Sequence, residues 1–151
     1  MIKLIIIFLM SIFFGNLPYM YEDEGIYQIN TMEYSYTSGY GINEDVRYKI
    51  DCEDDCILYI KEYGKDENDL IKIKLSDKDM DKFEAMLNKN HILSWKGFNK
   101  SDINVLDGDS FSFRLRYNDD EKLSASGYMK YPNNYQRFKS SFEKYVDSIN
   151  K

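Results

Sequence analysis

The sequence is poor in the residues on which most catalytic and metal sites depend. Its 151 residues include one histidine, His91, and two cysteines, Cys52 and Cys56. Nucleophilic catalysis by serine or cysteine needs a histidine base, yet no G-x-S-x-G motif accompanies His91. No Cys/His spacing suits zinc, and no glycine-rich loop suits a phosphate group. We therefore expect no catalytic residue, no metal and no cofactor, and we interpret His91 as structural or exposed.

Acidic residues near Gly108 suggest a calcium loop only at first sight. Counted back from Gly108, two positions that supply ligands in an EF-hand hold Ile103 and Val105. A turn capped by aspartate side chains is the interpretation we favour, and an oxygen-ligand site of another kind is the alternative.

Long apolar runs are also scarce, and the one present lies at the N-terminus. Lys3 precedes an almost unbroken apolar stretch at residues 4–14, and Gly15 and Pro18 follow it. This stretch is shorter than the ~18 residues that a membrane span needs, and the layout is typical of a secretory signal. We expect a signal peptide at residues 1–15, either cleaved or kept as a membrane anchor through residues 4–14. No cysteine directly follows the run, so no lipid anchor is expected.

The formal net charge of -6 gives no general attraction to nucleic acid. Fourteen tyrosines and nine phenylalanines exclude a disordered chain. No repeat or linker divides the sequence, so we expect a tether at residues 16–26 and one domain at residues 27–151. The predicted location is extracytoplasmic, either secreted or periplasmic.

Alternating apolar residues predict a first hairpin that the two cysteines join. If Cys52 lies opposite Cys56, the same register places Ile50 opposite Leu58 and Tyr48 opposite Ile60. For an exported chain this arrangement favours a Cys52–Cys56 disulfide over a thiol pair or a metal clip.

The remaining strands follow the same period of two. An upstream strand changes parity between Thr31 and Met32, which predicts a bulge, and a third strand covers residues 71–75. A second hairpin has its turn at residues 118–122, with Tyr117 opposite Leu123 and the ring of Phe113 across Gly127.

Two helices complete the pattern. Ser76 is the predicted cap of the first helix, whose apolar stripe is Met80, Phe83 and Leu87, with Asn88 or Asn90 as its left-handed stop. The last helix starts after Pro132 and carries a stripe that includes Phe138 and Phe142. The fold class predicted is α+β, with one antiparallel sheet of about six strands and both helices on one face.

Along the predicted strands, the residues that alternate with the apolar ones and point away from the core are mostly basic or tyrosine. Such a surface can bind anionic or sugar-like partners, although long cationic side chains are also ordinary on exposed strands. The candidate binding residues are Tyr59, Lys72, Lys74, Arg114, Arg116, Tyr128 and Lys130.

Three stretches carry a family resemblance: W-K-G-F at residues 95–98, D-G-D-S-F at 107–111 and S-G-Y-M-K-Y-P-N-N-Y at 126–135. In these stretches the chain resembles small exported bacterial α+β proteins of unknown function. The resemblance implies fold and export and carries no catalytic residue over.

The leading hypothesis is a non-enzymatic extracytoplasmic binding domain that acts through the sheet surface or the irregular segment 95–109. Its expected partner is an anionic or glycan ligand or a protein, with a membrane only if the leader is uncleaved. The alternative is an inhibitor or immunity-type protein acting on a protein target, and an enzyme of unrecognised type comes third.

Overall fold

The computed structural model describes residues 25–39, 45–62, 64–66 and 69–150. The predicted signal peptide and residues 16–24 of the predicted tether lie outside them, as does Tyr63. Ile26, the last residue of the predicted tether, packs against the domain and is buried. The Ile26 N–H donates to Asn88 Oδ1 at 2.8 Å, and Asn88 Nδ2 donates to the Ile26 carbonyl at 2.7 Å. Among the described residues, no helix has the length and apolar character needed to cross a bilayer.

One sheet of seven strands forms the frame of the molecule. The strands are β1 (Ile29–Thr37), β2 (Val46–Asp51), β3 (Ile57–Glu62), β4 (Ile71–Lys74), β5 (Asn99–Ser101), β6 (Ser110–Tyr117) and β7 (Glu121–Tyr128). Their order is β4-β3-β2-β1-β6-β7-β5. All neighbours are antiparallel except β5 and β7, which run parallel. The α+β class with a single sheet is confirmed, and the strand count is one higher than predicted.

The first hairpin has the predicted register. Ile50 pairs with Leu58 and Tyr48 pairs with Ile60, and a disulfide joins Cys52 to Cys56, whose Cα atoms are 4.0 Å apart. A bulge in β1 is present slightly before the predicted position, because the pairing of β1 with β6 shifts register between Ile29 and Thr31 and not between Thr31 and Met32. The shift lets Ile29 and Met32 both face the core.

The register predicted for the second hairpin is wrong by two residues. Tyr117 pairs with Glu121, not Leu123. The turn closes with three residues because Asn118 and Asp120 adopt positive φ angles of 50° and 74°, a conformation that asparagine and aspartate tolerate better than most residues.

A shift of two residues keeps every side chain on its predicted face but changes its neighbours. Phe111, not Phe113, pairs with Gly127, and a Cβ placed on Gly127 would lie 2.7 Å from the Phe111 ring. An aromatic ring therefore covers the glycine as expected, but it belongs to another residue. On the opposite face, Arg114 pairs with Ser124 and not with Ser126, and Tyr128 pairs with Ser110 and not with Ser112.

Helix α1 (Asp77–Lys89) begins at the predicted cap. The Ser76 side chain accepts a hydrogen bond from the Asp79 backbone, and the Asp79 carboxylate accepts one from the Ser76 backbone, which completes a capping box. The predicted left-handed stop is wrong, because His91 and not an asparagine takes the positive φ of 53° after the helix. A 3₁₀ helix, Ile92–Trp95, follows directly.

Helix α2 (Tyr135–Ile149) lies on the sheet through its aromatic stripe. The ring of Phe138 packs edge-on against Tyr34 and Phe113, and the ring of Phe142 packs against Tyr48 at 4.8 Å between centroids. Helix α1 reaches the same cluster through Phe83, whose ring centroid is 6.0 Å from that of Phe142. Both helices thus cover one face of the sheet, here named the inner face, and the hydrophobic core lies between.

Candidate functional site

The outer face is the side of the sheet opposite the helices, and strand alternation supplies its side chains. Pairing across the strands arranges them in rows. One row contains Lys72, Tyr59, Lys49, Glu33, Arg114 and Ser124. The next contains Lys74, Ile57, Asp51, Thr31, Arg116 and Lys122, and on the other side lies a row of Lys61, Arg47, Ser35, Ser112 and Ser126. Neighbouring strands lie about 4.8 Å apart, so the side chains of each row form a continuous surface.

Basic residues dominate this surface, which we call the basic face. Its members are Arg47, Lys49, Lys61, Lys72, Lys74, Arg114, Arg116 and Lys122. Within the described strands, the acidic residues of the outer face are Glu33 and Asp51. A surface of positive charge therefore exists in a chain whose net charge is -6.

Alternation placed Arg47, Lys49 and Lys61 on the outer face from the sequence, but it was not used to place Lys122 or Glu33 there. Lys122 was placed in the hairpin turn, whereas the shorter turn puts it on β7 opposite Arg116. Glu33 was not expected on the outer face, although it immediately follows the parity change at Met32. The alternation alone was sufficient to place Glu33 on the outer face.

Carboxylates hold several of the basic side chains in position. Lys49 Nζ lies 2.7 Å from Asp51 Oδ2, Arg114 Nη1 donates to Glu33 Oε2 at 3.3 Å, and Arg116 Nε donates to Asp120 Oδ1 at 2.8 Å. All three pairs are partly exposed to solvent, and such pairs contribute little to stability and exchange partners readily.

The pKa shifts on this face favour charged forms. The hydrogen bond from Lys49 lowers the pKa of the Asp51 carboxyl and raises that of the Lys49 ammonium. Hydrogen bonding to Arg116 likewise lowers the pKa of the Asp120 carboxyl. Groups that stay charged near neutral pH are suited to electrostatic contact and not to proton transfer.

Two open depressions lie side by side on the outer face. One has a volume of about 650 Å³ and is lined by residues that include Arg47, Tyr59 and Ser112. The other, of about 840 Å³, lies toward the disulfide and includes Arg116 and Lys122 in its lining. Glu33, Lys49 and Arg114 line both. Together the depressions form a trough across the centre of the sheet, and Arg114 lies at its middle.

The candidate residues near the β4 edge are partly engaged with their neighbours. Lys72 Nζ lies 5.8 Å from the centroid of the Tyr59 ring, within the range of a cation–π contact. Lys74 Nζ contacts Asp55 Oδ2 at 2.7 Å, outside the trough. Tyr59 lines the trough, whereas Lys72 and Lys74 are not among its lining residues.

Tyr128 and Lys130 lie apart from the trough and support a neighbouring loop. The Tyr128 hydroxyl accepts a hydrogen bond from the Gly108 backbone at 2.8 Å, and Lys130 Nζ lies 3.1 Å from Asp102 Oδ2. The outer face thus brings Tyr59, Arg114 and Arg116 together, while these two residues hold the loop at residues 102–108.

No group of three or more His, Cys, Asp or Glu side chains in the described ranges is arranged to hold a metal ion. Comparison with models of known protein families and with curated proteins found no match to this chain.

Proposed function

We propose that this protein is an extracytoplasmic binding domain whose trough holds an extended anionic glycan. The observation that carries the proposal is the coincidence of a basic face with two joined depressions on the side of the sheet that the helices leave uncovered. A chain of net charge -6 has no general affinity for anions, so local segregation of positive charge gives this surface its selectivity.

The chemistry of the lining fits a chain of acidic sugars. Arg47, Lys49 and Arg114 offer hydrogen-bond donors to carboxylate or sulfate groups. Ser35 and Ser112 add hydroxyls for the sugar ring, and the Tyr59 ring offers an aromatic surface beside them. Because the ion pairs on this face are exposed, a ligand carboxylate can replace Glu33 beside Arg114 at low cost.

The proposed location outside the cytoplasm rests on two features. The Cys52–Cys56 disulfide is of a kind that persists in oxidising compartments, and the N-terminal apolar run has the layout of a secretory signal. Contact with a membrane follows only if residues 4–14 remain attached.

The test is titration of the protein with polygalacturonate and heparin as acidic glycans and with dextran as a neutral one. The wild type is expected to bind the two acidic glycans, more weakly as salt is raised, because salt screens exposed charges. Replacing both Arg114 and Arg116 with Ser removes two positive charges and is expected to weaken binding by about fivefold or more.

The matched control is Lys78→Gln with Lys144→Gln, which removes the same charge from exposed positions on α1 and α2. This variant is expected to bind like the wild type. Equal losses in both double variants would show that only net charge matters, and a wild type that binds the acidic glycans no better than dextran would contradict the proposal.

A further inference from the structure

The loop between β5 and β6 exposes two aliphatic side chains. Ile103 is 89% exposed and Leu106 is 92% exposed, far above the other large apolar residues of the described ranges. Exposure of single apolar residues is ordinary, but two nearly full exposures within four residues form a local apolar tip. The inner-face core uses neither side chain, and neither lines the trough.

This loop is held in place from beneath. The Tyr128 hydroxyl accepts a hydrogen bond from the Gly108 N–H. It can donate its own proton to the Leu106 carbonyl, at 2.8 Å, or to the Val105 carbonyl, at 3.0 Å. The Asp102 N–H donates to the Tyr128 carbonyl at 2.9 Å. The Asp102 carboxylate pairs with Lys130, a contact that lowers the pKa of this carboxyl.

Gly108 lets the loop approach the end of β7 closely. A Cβ on Gly108 would overlap the Met129 side chain and approach Tyr128 Cζ to 3.1 Å. The loop therefore packs closely on the end of β7. Because its backbone is already ordered, a partner that buries Ile103 and Leu106 does not have to order the loop first.

The charge around the tip indicates what can cover it. Asp107 is exposed next to Leu106, and Lys130, the basic side chain that contacts the loop, is already paired with Asp102. Segments that insert into the surface of anionic membranes combine apolar residues with lysine or arginine, which this loop lacks within residues 101–108. The negative charge of Asp107 beside the tip therefore complements a basic group on a partner.

We propose that loop 102–108 is a protein-docking site that inserts Ile103 and Leu106 into an apolar cleft with a basic rim on a protein partner. The site is separate from the trough and does not depend on the proposed glycan ligand. Tyr128 acts as a positioning residue for the loop, and Asp107 supplies the charge that meets the partner's rim.

The experiment places a photo-crosslinking amino acid at position 103 or 106 of the full chain in producing cells, with position 144 on α2 as the control site. A protein captured from the loop and not from the control site is identified, purified and titrated with the wild type. Replacing Ile103 and Leu106 together with Ser is expected to weaken its affinity at least about tenfold, because two aliphatic side chains are no longer buried.

Three further variants make the result specific. Ile71→Thr changes an exposed aliphatic residue on the opposite edge strand and is expected to leave affinity unchanged. Asp107→Lys is expected to slow association and to weaken its salt dependence. Tyr128→Phe keeps both aliphatic side chains but loses the loop hydrogen bonds, so a several-fold loss of affinity is expected with thermal stability close to that of the wild type.

Four outcomes would overturn the proposal. One is capture that does not exceed the control site, and another is a purified partner that binds the Ile103→Ser/Leu106→Ser variant as tightly as the wild type. A third is binding to phosphatidylcholine or phosphatidylglycerol vesicles that this variant loses, which would assign the tip to a membrane. The fourth is self-association that the variant loses, which would assign it to a second copy. Retained binding of acidic glycan by the variant separates this test from that of the trough.

Discussion

On one side of the sheet, Met32 and Ile50 are fully buried beneath the helices, while their chain neighbours Glu33 and Lys49 are exposed on the other. The two faces share the same backbone hydrogen bonds and differ only in side chains. The inner face excludes water and gains stability from apolar burial, whereas the outer face keeps its charges in solvent, where each pair contributes little. Substitutions should therefore separate the two faces, with stability changing on one and binding on the other.

The inner face has a further property that the outer face lacks, which is dense aromatic packing. The ring of Phe142 contacts those of Tyr34, Tyr48 and Phe83, so it joins both helices to the sheet. On the outer face, the contacts include ion pairs at the ends of long side chains and the cation–π contact of Lys72 with Tyr59. Loss of one buried ring therefore leaves a cavity, whereas loss of one charged group leaves water in its place.

The largest effect is expected from truncating the buried rings of α2. Phe142→Ala should lower the free energy of unfolding by about 3 to 5 kcal/mol, and Phe138→Ala by a similar amount, because each removes a fully buried ring. Urea denaturation measures the change. Glu143→Ala, an exposed neighbour on the same helix, is the control and should change stability by less than about 0.5 kcal/mol. A loss below about 1 kcal/mol for both phenylalanine variants would mean that α2 does not pack on the sheet as described.

A medium effect is expected from the disulfide, which lies at the end of the first hairpin and belongs to neither face alone. Replacing Cys52 and Cys56 together with Ser should lower the free energy of unfolding by about 2 kcal/mol, since the closed loop is very short. Reductant should destabilise the wild type by a similar amount and leave the double variant unchanged. If reductant destabilises both proteins equally, the disulfide is not the source of the change.

The inner face was the easier of the two to predict from the sequence. Burial requires apolar residues at every second position, so Ile50, Leu58 and Phe113 were placed on the core side from alternation alone. The disulfide followed because one register satisfied both the cysteines and the apolar residues. Helix α2 followed from its aromatic spacing in the same way.

The features that the sequence did not predict are those that depend on turn geometry or on contacts between distant parts of the chain, and not on the alternation of apolar and polar residues. Strand β5, Asn99–Ser101, has three exposed residues and no apolar pattern, and its pairing depends on the position of β7. The register predicted for the second hairpin was wrong by two residues, because Asn118 and Asp120 close a three-residue turn that contains no glycine. The role of Tyr128 depends on where the loop at residues 102–108 folds back, which local sequence does not determine.

The smallest change in stability, and the sharpest test of the difference between the faces, is expected from Glu33→Gln. The Glu33 carboxylate accepts from Arg114 Nη1 at 3.3 Å in an exposed pair on the outer face, so its loss should change the free energy of unfolding by less than about 0.5 kcal/mol. Binding should change in the opposite direction from that of the arginine variants, because Gln releases the Arg114 guanidinium and removes a negative charge from both depressions.

Titration with polygalacturonate at about 0.1 M salt should show an affinity about two- to fivefold higher for Glu33→Gln than for the wild type. Glu143→Gln removes the same charge from the helix side of the molecule and should bind like the wild type, since screening weakens interactions over distances beyond the Debye length of about 10 Å. If Glu33→Gln binds the acidic glycan no more tightly than Glu143→Gln, the ligand does not contact Arg114. The outer face would then be solvated surface, and loop 102–108 would be the remaining candidate for function.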